Sequence, residues 1–349
     1  RFMYLIKQHK AFADITSHIM TNRMAKTGGI NRVGKYELTG ILGEGSMATV
    51  YSGYDRELER EVAIKMLNYN LAYNHDFLDR FEQEARIIAK LNHPNIINVI
   101  EIIDEFSTRF IVMEKLEGEN LSAILKAKGA FGLMETRKIL SQLASALQYA
   151  HDQGENGIVH RDIKPSNIVI DRYGNIKLTD FGLAGPPQNK EINIEGSPSY
   201  LAPEIINGEP VDGRADIYAL GVMAFLMLTN SLPFSAPTLA KLLKMQVHQK
   251  PPNIRGLCSS IDTGLEEFIQ RSLAKDVNER IADWDRIRKI LEPVNNRSSI
   301  PLEADEIGVI IRLQNTSSRQ STNIIHAIQK MLQDEAVNFS METQISDDT

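Results

Sequence analysis

Apolar residues alternate or cluster over Tyr36–Tyr54 and again over Glu61–Met66, the period-two habit of half-buried strands. The spacing then turns helical. Phe77, Phe81, Ile87, Ile88 and Leu91 fall near one face of a helix over Phe77–Leu91. Val99–Ile103 and Phe110–Met113 read as strands. Beyond Gly118 the apolar spacing is mostly helical, over Leu133–Gln153, Asp216–Leu228, Leu239–Val247 and Leu265–Ala274. The longest apolar run, Ile217–Leu228, is short of the ~18 residues of a membrane span and predicts a buried helix. Pattern alone predicts an α+β fold with a small strand-rich lobe followed by a larger helical one.

Both flanks differ from this middle. Residues 1–35 are weakly periodic and carry the linker signals Gly28-Gly29 and Gly34. Residues 293–349 open with Pro293 and Asn295-Asn296 and hold eleven Ser/Thr and eight acids against four bases. That tail is expected to be loose apart from one short helix over Asn323–Gln333. Three regions follow: an N-terminal arm, 1–35; a folded body, 36–292, split into a small lobe over 36–116 and a large lobe over 117–292; and an acidic, Ser/Thr-rich tail, 293–349.

Composition narrows the classes. The 349 residues are 42% hydrophobic and 24% charged, ordinary for a globular protein. A single cysteine, Cys258, excludes an internal disulfide framework and a cysteine-rich zinc site. The net charge of −6 is uneven, because residues 1–35 carry seven Lys/Arg and one acid, Asp14. Such an arm suits nucleic acid, an anionic membrane surface or plain solvent. The acidic remainder argues against nucleic acid as the main partner. No signal-peptide pattern and no span is visible, so the expectation is a cytoplasmic chain. Because the chain begins at Arg1, a span upstream stays open, with Phe2–Ile6 as its end. The oligomeric state has no signature.

The chemistry concentrates in His160-Arg-Asp162-Ile-Lys164-Pro-Ser-Asn167, followed by Asp180-Phe-Gly182. A carboxylate stands five residues before an amide, and a second carboxylate follows thirteen residues later. Phosphoryl transfer from ATP needs one group to orient the attacking hydroxyl and oxygen ligands to hold magnesium on the phosphates. Any one of these residues alone reads equally well as a turn or cap. Upstream, Gly43-Glu-Gly45-Ser-Met-Ala48-Thr-Val50 sits between two predicted strands and precedes Val62-Ala63-Ile64-Lys65. Glycines let backbone amides approach phosphates, although a lone glycine pair is also a plain hairpin turn.

Together, in this order and spacing, these motifs over Tyr36–Glu292 resemble the eukaryotic-type Ser/Thr protein kinases. The short connections and Leu91-Asn-His-Pro-Asn-Ile96 look like bacterial members. The resemblance implies a bilobal kinase fold, ATP and Mg2+ as cofactors, and protein Ser/Thr hydroxyls as acceptors. It implies Asp162 as catalytic base or orienting group, with Lys164 as a charge on the transferring group and a mark of Ser/Thr specificity. Asn167 and Asp180 become metal ligands. Lys65 becomes the phosphate lysine, held by a carboxylate that the register from Leu91 assigns to Glu84 rather than Glu82. Gly43, Gly45, Val50 and Ala63 would line the nucleotide. Met113 would back the adenine pocket, and Glu114 and Leu116 would form the connection that receives adenine. Ala48 replaces the pattern's third glycine, which points to a stiffer loop.

The resemblance also assigns scaffolding. Glu204, in Ala202-Pro203-Glu204, pairs with Arg280, and Asp216 anchors the catalytic loop. Ile88, Val99, His160 and Phe181 form an apolar stack between lobes, so His160 is packed rather than catalytic. Arg161 precedes the base, which in the family marks control by loop phosphorylation. Yet Leu183–Gly196 contains no Ser, Thr or Tyr. Ser197 matches the family's substrate-docking hydroxyl and is a poor switch, so Glu191 or Glu195 would supply the charge; the alternative is a solvated Arg161 and a loop ordered by packing. The alternative function is a silent ATP-binding pseudokinase or scaffold, whose mark is loss of the lysine, base or metal ligand; none is lost. A small-molecule kinase fits poorly with the complete segment from Asp180 to Glu204.

Overall fold

The computed structural model describes residues 31–45, 47–68, 71, 75–106, 108–154, 157–181 and 197–292. Backbone contacts divide the chain after Val294, and the second unit, Asn295–Thr349, lies outside the described residues with its expected helix. Most of the arm, Gly182, Glu191 and Glu195 lie outside them too. No helix among the described residues is long and apolar enough to cross a membrane.

The first lobe is one antiparallel sheet. Its strands are β1 (Arg32–Val33), β2 (Tyr36–Glu44), β3 (Ala48–Asp55), β4 (Arg60–Leu67), β5 (Val99–Glu105) and β6 (Thr108–Glu114), in the order β1-β2-β3-β4-β6-β5. The apolar run over Tyr36–Tyr54 is therefore two strands, bent at Gly45. β1 draws the end of the arm into this lobe: Val33 is fully buried and Lys35 Nζ lies 3.3 Å from Asp55 Oδ2.

Period two sorts β4 into two faces. Val62, Ile64 and Met66 join Tyr36, Tyr51, Phe110 and Val112 in one buried cluster. Leu67, on the opposite face, packs with Phe81, Ala85 and Ile111 under helix α1 (His75–Ile88). The odd face also carries Ala63 and Lys65. Antiparallel register sets Lys65 opposite both Val50 and Ile111, and Ala63 opposite Met113. Val50, Ala63, Lys65 and Met113 thus share one face, because directly opposed residues project to the same side.

The second lobe is helical: α2 (Leu121–Lys128), α3 (Leu133–His151), α4 (Pro203–Asn207), α5 (Arg214–Thr229), α6 (Leu239–His248), α7 (Thr263–Ser272) and α8 (Trp284–Leu291). The apolar run at 217–228 forms α5, buried nearly all round, as a helix hydrophobic on every side must be. Gly221 lets α7 press against it, since a Cβ there would stand 2.6 Å from Ser272 Cβ. Asp262 caps α7 by accepting from the Leu265 N–H and also pairs with Arg137 on α3 at 2.6 Å. A small sheet of β7 (Glu119–Asn120), β8 (Ile168–Ile170) and β9 (Ile176–Leu178) lies where the lobes join. Ile97 N–H donates to Leu178 O at 3.0 Å, which ties this sheet to the first lobe.

Candidate active site

The β8–β9 hairpin is what brings the distant motif halves together. Ile168 is paired with Leu178, so Asn167 just before β8 faces the residues just after β9. Thr179 N–H and Oγ1 both donate to Asn167 O, at 2.8 and 3.1 Å. Asp180 comes next, with φ of +57°, and Arg161 has φ of +66°. Two non-glycine residues in the left-handed region beside one another's loops is the kind of backbone strain that concentrates at functional sites.

Lys65 reaches this point from the sheet. Its Nζ donates to Glu84 Oε1 on α1 at 2.7 Å and to Asp180 Oδ1 at 2.7 Å. Burial alone would lower the Lys65 ammonium, but the two carboxylates outweigh it and hold it above its usual range. Burial likewise works to raise the Asp180 carboxyl, and Lys65, with His160 and Lys164, holds it below the usual range instead. Glu82 goes elsewhere: it pairs with Arg86 at 2.9 Å and Arg109 at 2.8 Å.

Asp162 is hydrogen-bonded on both oxygens. Oδ2 accepts from Lys164 Nζ at 2.6 Å and Asn167 Nδ2 at 3.2 Å, and Oδ1 accepts from the Ser197 N–H at 3.2 Å. Asn167 Nδ2 also donates to Asp162 O at 2.9 Å. Asn167 is buried and its Oδ1 accepts from the Ser166 hydroxyl at 3.3 Å, which leaves the second lone pair of that oxygen for a metal. A carboxylate and an amide oxygen are hard donors of the kind magnesium takes, and magnesium binds through one or two protein carboxylates plus substrate phosphates. The donor set fits that ion. No cluster of three or more His, Cys, Asp or Glu is present among the described residues, which such a site does not need.

Gly43 and Gly45 lie on the β2–β3 bend, where the Gly45 N–H donates to Ala48 O at 2.9 Å. Asn68, just past β4, donates Nδ2 to Gly45 O at 2.9 Å and accepts from Thr49 Oγ1 at 3.0 Å. Met113 and Glu114 end β6, and Leu116 follows where strand pairing stops. The Glu114 carboxylate faces Lys177 at 2.6 Å and the Asn98 N–H at 2.8 Å, bracing the connection between lobes. Gly118 packs so closely on β8 that a Cβ would stand 2.2 Å from Ile170 O.

A sequence model of the protein kinase domain matches residues 36–293. The chain belongs to the protein kinase family. It is 38% identical to the serine/threonine-protein kinase PrkC of Bacillus subtilis, over 70% of this chain and 38% of that one. It is 34% identical to the probable serine/threonine-protein kinase pknA2 of Bifidobacterium longum, over 78% and 36%. It is 37% identical to the serine/threonine-protein kinase Pkn1 of Myxococcus xanthus, over 75% and 38%. The chain therefore spans well under half the length of these three relatives.

Within this kinase domain, Asp216 at the start of α5 holds the backbone of the loop that leads to Asp162. Its oxygens accept the backbone N–H groups of His160 and Arg161, each at 2.8 Å, and Nε2 of His151 lies 2.8 Å from Oδ2. Burial would lift the Asp216 carboxyl, and these partners hold it down. Arg280 meets Glu204 with two buried contacts, at 2.6 and 2.9 Å. His160 stacks on Phe181 with ring centroids 4.5 Å apart, and Ile88 and Phe181 lie in one core cluster against which Val99 packs. Asn68 and His151 escape a reading by motif. Each is a single polar residue with no fixed-offset partner, so only the fold shows what it holds.

Proposed function

We propose that this chain is a protein serine/threonine kinase, transferring the γ-phosphate of ATP to Ser or Thr hydroxyls of proteins with magnesium as cofactor. The observation that carries the reading is the Lys65 ammonium between Glu84 and Asp180 at 2.7 Å each. That arrangement aligns a phosphate-binding cation with a magnesium-binding carboxylate, and a loop with Asp162 at its head lies beside them.

In this mechanism Asp162 accepts the hydrogen bond of the substrate hydroxyl and takes its proton as the new O–P bond forms and the bond from the γ-phosphorus to the β–γ bridging oxygen breaks, with ADP as the leaving group. Lys164, 2.6 Å from Asp162, presents positive charge to the transferring phosphoryl group. Lys65 holds the non-transferring phosphates, and Glu84 fixes its direction. Asn167 and Asp180 would hold the magnesium, which when bound neutralises phosphate charge. Val50, Ala63 and Met113 line the purine face, with Glu114 and Leu116 at its edge. The pseudokinase reading lacks its defining feature, since lysine, base and both metal ligands are present. ATP is a cytoplasmic metabolite, so the same reading assigns the domain to the cytoplasm. Its test is ATP-dependent phosphorylation of serine and threonine peptides by the wild type and its loss in Asp162→Asn.

A further inference from the structure

The Ser197 N–H donates to Asp162 Oδ1, so the chain that follows Ser197 runs directly beside the catalytic carboxylate. A peptide presenting its hydroxyl to Asp162 has to rest its neighbouring backbone there. That ledge is one 3-10 turn, Pro198–Tyr200, with no side-chain cap. Something outside the turn must set its shape.

The tie comes from α6. Its single fully buried residue is an amide, Gln246. Gln246 Nε2 donates to Ser199 O at 2.6 Å and to Pro198 O at 3.3 Å. Two carbonyls can only accept, so the amide nitrogen must face them and the oxygen must face away. Oε1 then accepts from the Tyr218 hydroxyl on α5, at 2.5 Å. Lys275 Nζ donates to Tyr218 Oη at 3.0 Å and to the Gln246 carbonyl at 2.6 Å. The result is a directed relay, Lys275 to Tyr218 to Gln246 to Ser199, in which each donor faces an acceptor. A buried amide costs stability unless all its bonds are made. An aliphatic residue would fill the same space, but it would leave the ledge carbonyls unheld.

We infer that Gln246 is a positioning residue for the protein substrate, holding the Pro198 and Ser199 carbonyls so that the ledge keeps the shape the acceptor peptide docks against. The inference deepens the kinase reading and rests on it. It predicts a split that a purely structural role would not produce: peptide binding suffers and nucleotide binding does not.

The test is steady-state phosphotransfer by the 349-residue chain to a serine peptide, chosen as one the wild type phosphorylates from a library with randomised flanks. Gln246→Glu sets an acceptor against two carbonyls, and Gln246→Leu removes the donor. Each should raise the peptide KM about tenfold, the size of one lost hydrogen bond, with the ATP KM within about twofold. Tyr218→Phe keeps the amide but removes its anchor, and should raise the peptide KM by a smaller factor. A folded Gln246 variant with wild-type peptide KM, or one whose peptide and ATP KM values rise together, overturns the inference. If neither Gln246 variant folds, Tyr218→Phe decides: a raised peptide KM with unchanged ATP KM supports the inference, and an unchanged peptide KM overturns it. A wild type that phosphorylates no peptide in the library overturns the kinase reading itself, which separates the two failures.

Discussion

Lys65 and Asp180 are 115 residues apart in sequence and meet at 2.7 Å, with Glu84 on the same ammonium. One lysine thereby joins the sheet, the helix above it and the loop after β9. Two glutamates on α1 offer a clean contrast. Glu84→Gln should lower kcat/KM by ~10²-fold, and Glu82→Gln should leave it within about twofold, because Glu82 pairs with Arg86 and the half-buried Arg109 rather than with Lys65. Steady-state kinetics of both variants checks this, and equal losses would contradict it.

The Glu204–Arg280 pair is buried on both sides. Removing one partner leaves an uncompensated charge in the interior, so Arg280→Met should cost about 3–5 kcal/mol in urea unfolding. The double variant Glu204→Leu/Arg280→Met should recover part of that loss. A single variant as stable as wild type would mean that the pair is not buried in solution.

Much of this was legible in the sequence, for physical reasons. Phosphate chemistry demands particular groups at particular spacings, so Lys65, Asp162, Asn167 and Asp180 stood out before any geometry. The long elements also read well, because α3 repeats its apolar spacing over several turns and α5 is one long apolar run. The three-residue strands β8 and β9 did not, since three residues carry no period. Helix α8 was missed as well; only Ile287 and Leu291 of its eight residues are buried. Gln246 could not be read either. A lone amide in a helical stretch has the same appearance whether it faces water or holds a loop.

Lys275 gives the domain a pH dependence. Burial, with Arg280 nearby, lowers its ammonium from the usual 10.5 to about 7. Between those values the unfolded chain holds a proton that the folded chain has released, so stability rises with pH across that window. The melting temperature of the wild type should climb relative to Lys275→Met from pH 7 to 10. Parallel curves would contradict it. The neutral amine keeps two N–H donors, enough for Tyr218 and Gln246.

The segment Leu183–Gly196 has no hydroxyl to phosphorylate. Activity is therefore expected to need no phosphate in that segment, and phosphatase treatment should leave the turnover rate unchanged. Ser197 and Ser199 are the nearest hydroxyls; Ser199 lies in the Pro198–Tyr200 turn and Ser197 immediately precedes it. Mass spectrometry of the active protein checks this; a rate that depends on phosphate at Ser197 or Ser199 would contradict it. Loss of rate in Glu191→Gln or Glu195→Gln would identify the carboxylate that stands in for a phosphate.

The most direct measurement is γ-labelled ATP with magnesium and a serine/threonine peptide library, for the wild type, Lys65→Met and Asp162→Asn, alongside thermal unfolding. The account predicts label on serine or threonine with the wild type. It predicts losses of ~10²–10⁴ or more in the two variants while their melting curves remain cooperative. Absence of transfer by the folded wild type, or near-wild-type transfer by either folded variant, would contradict it.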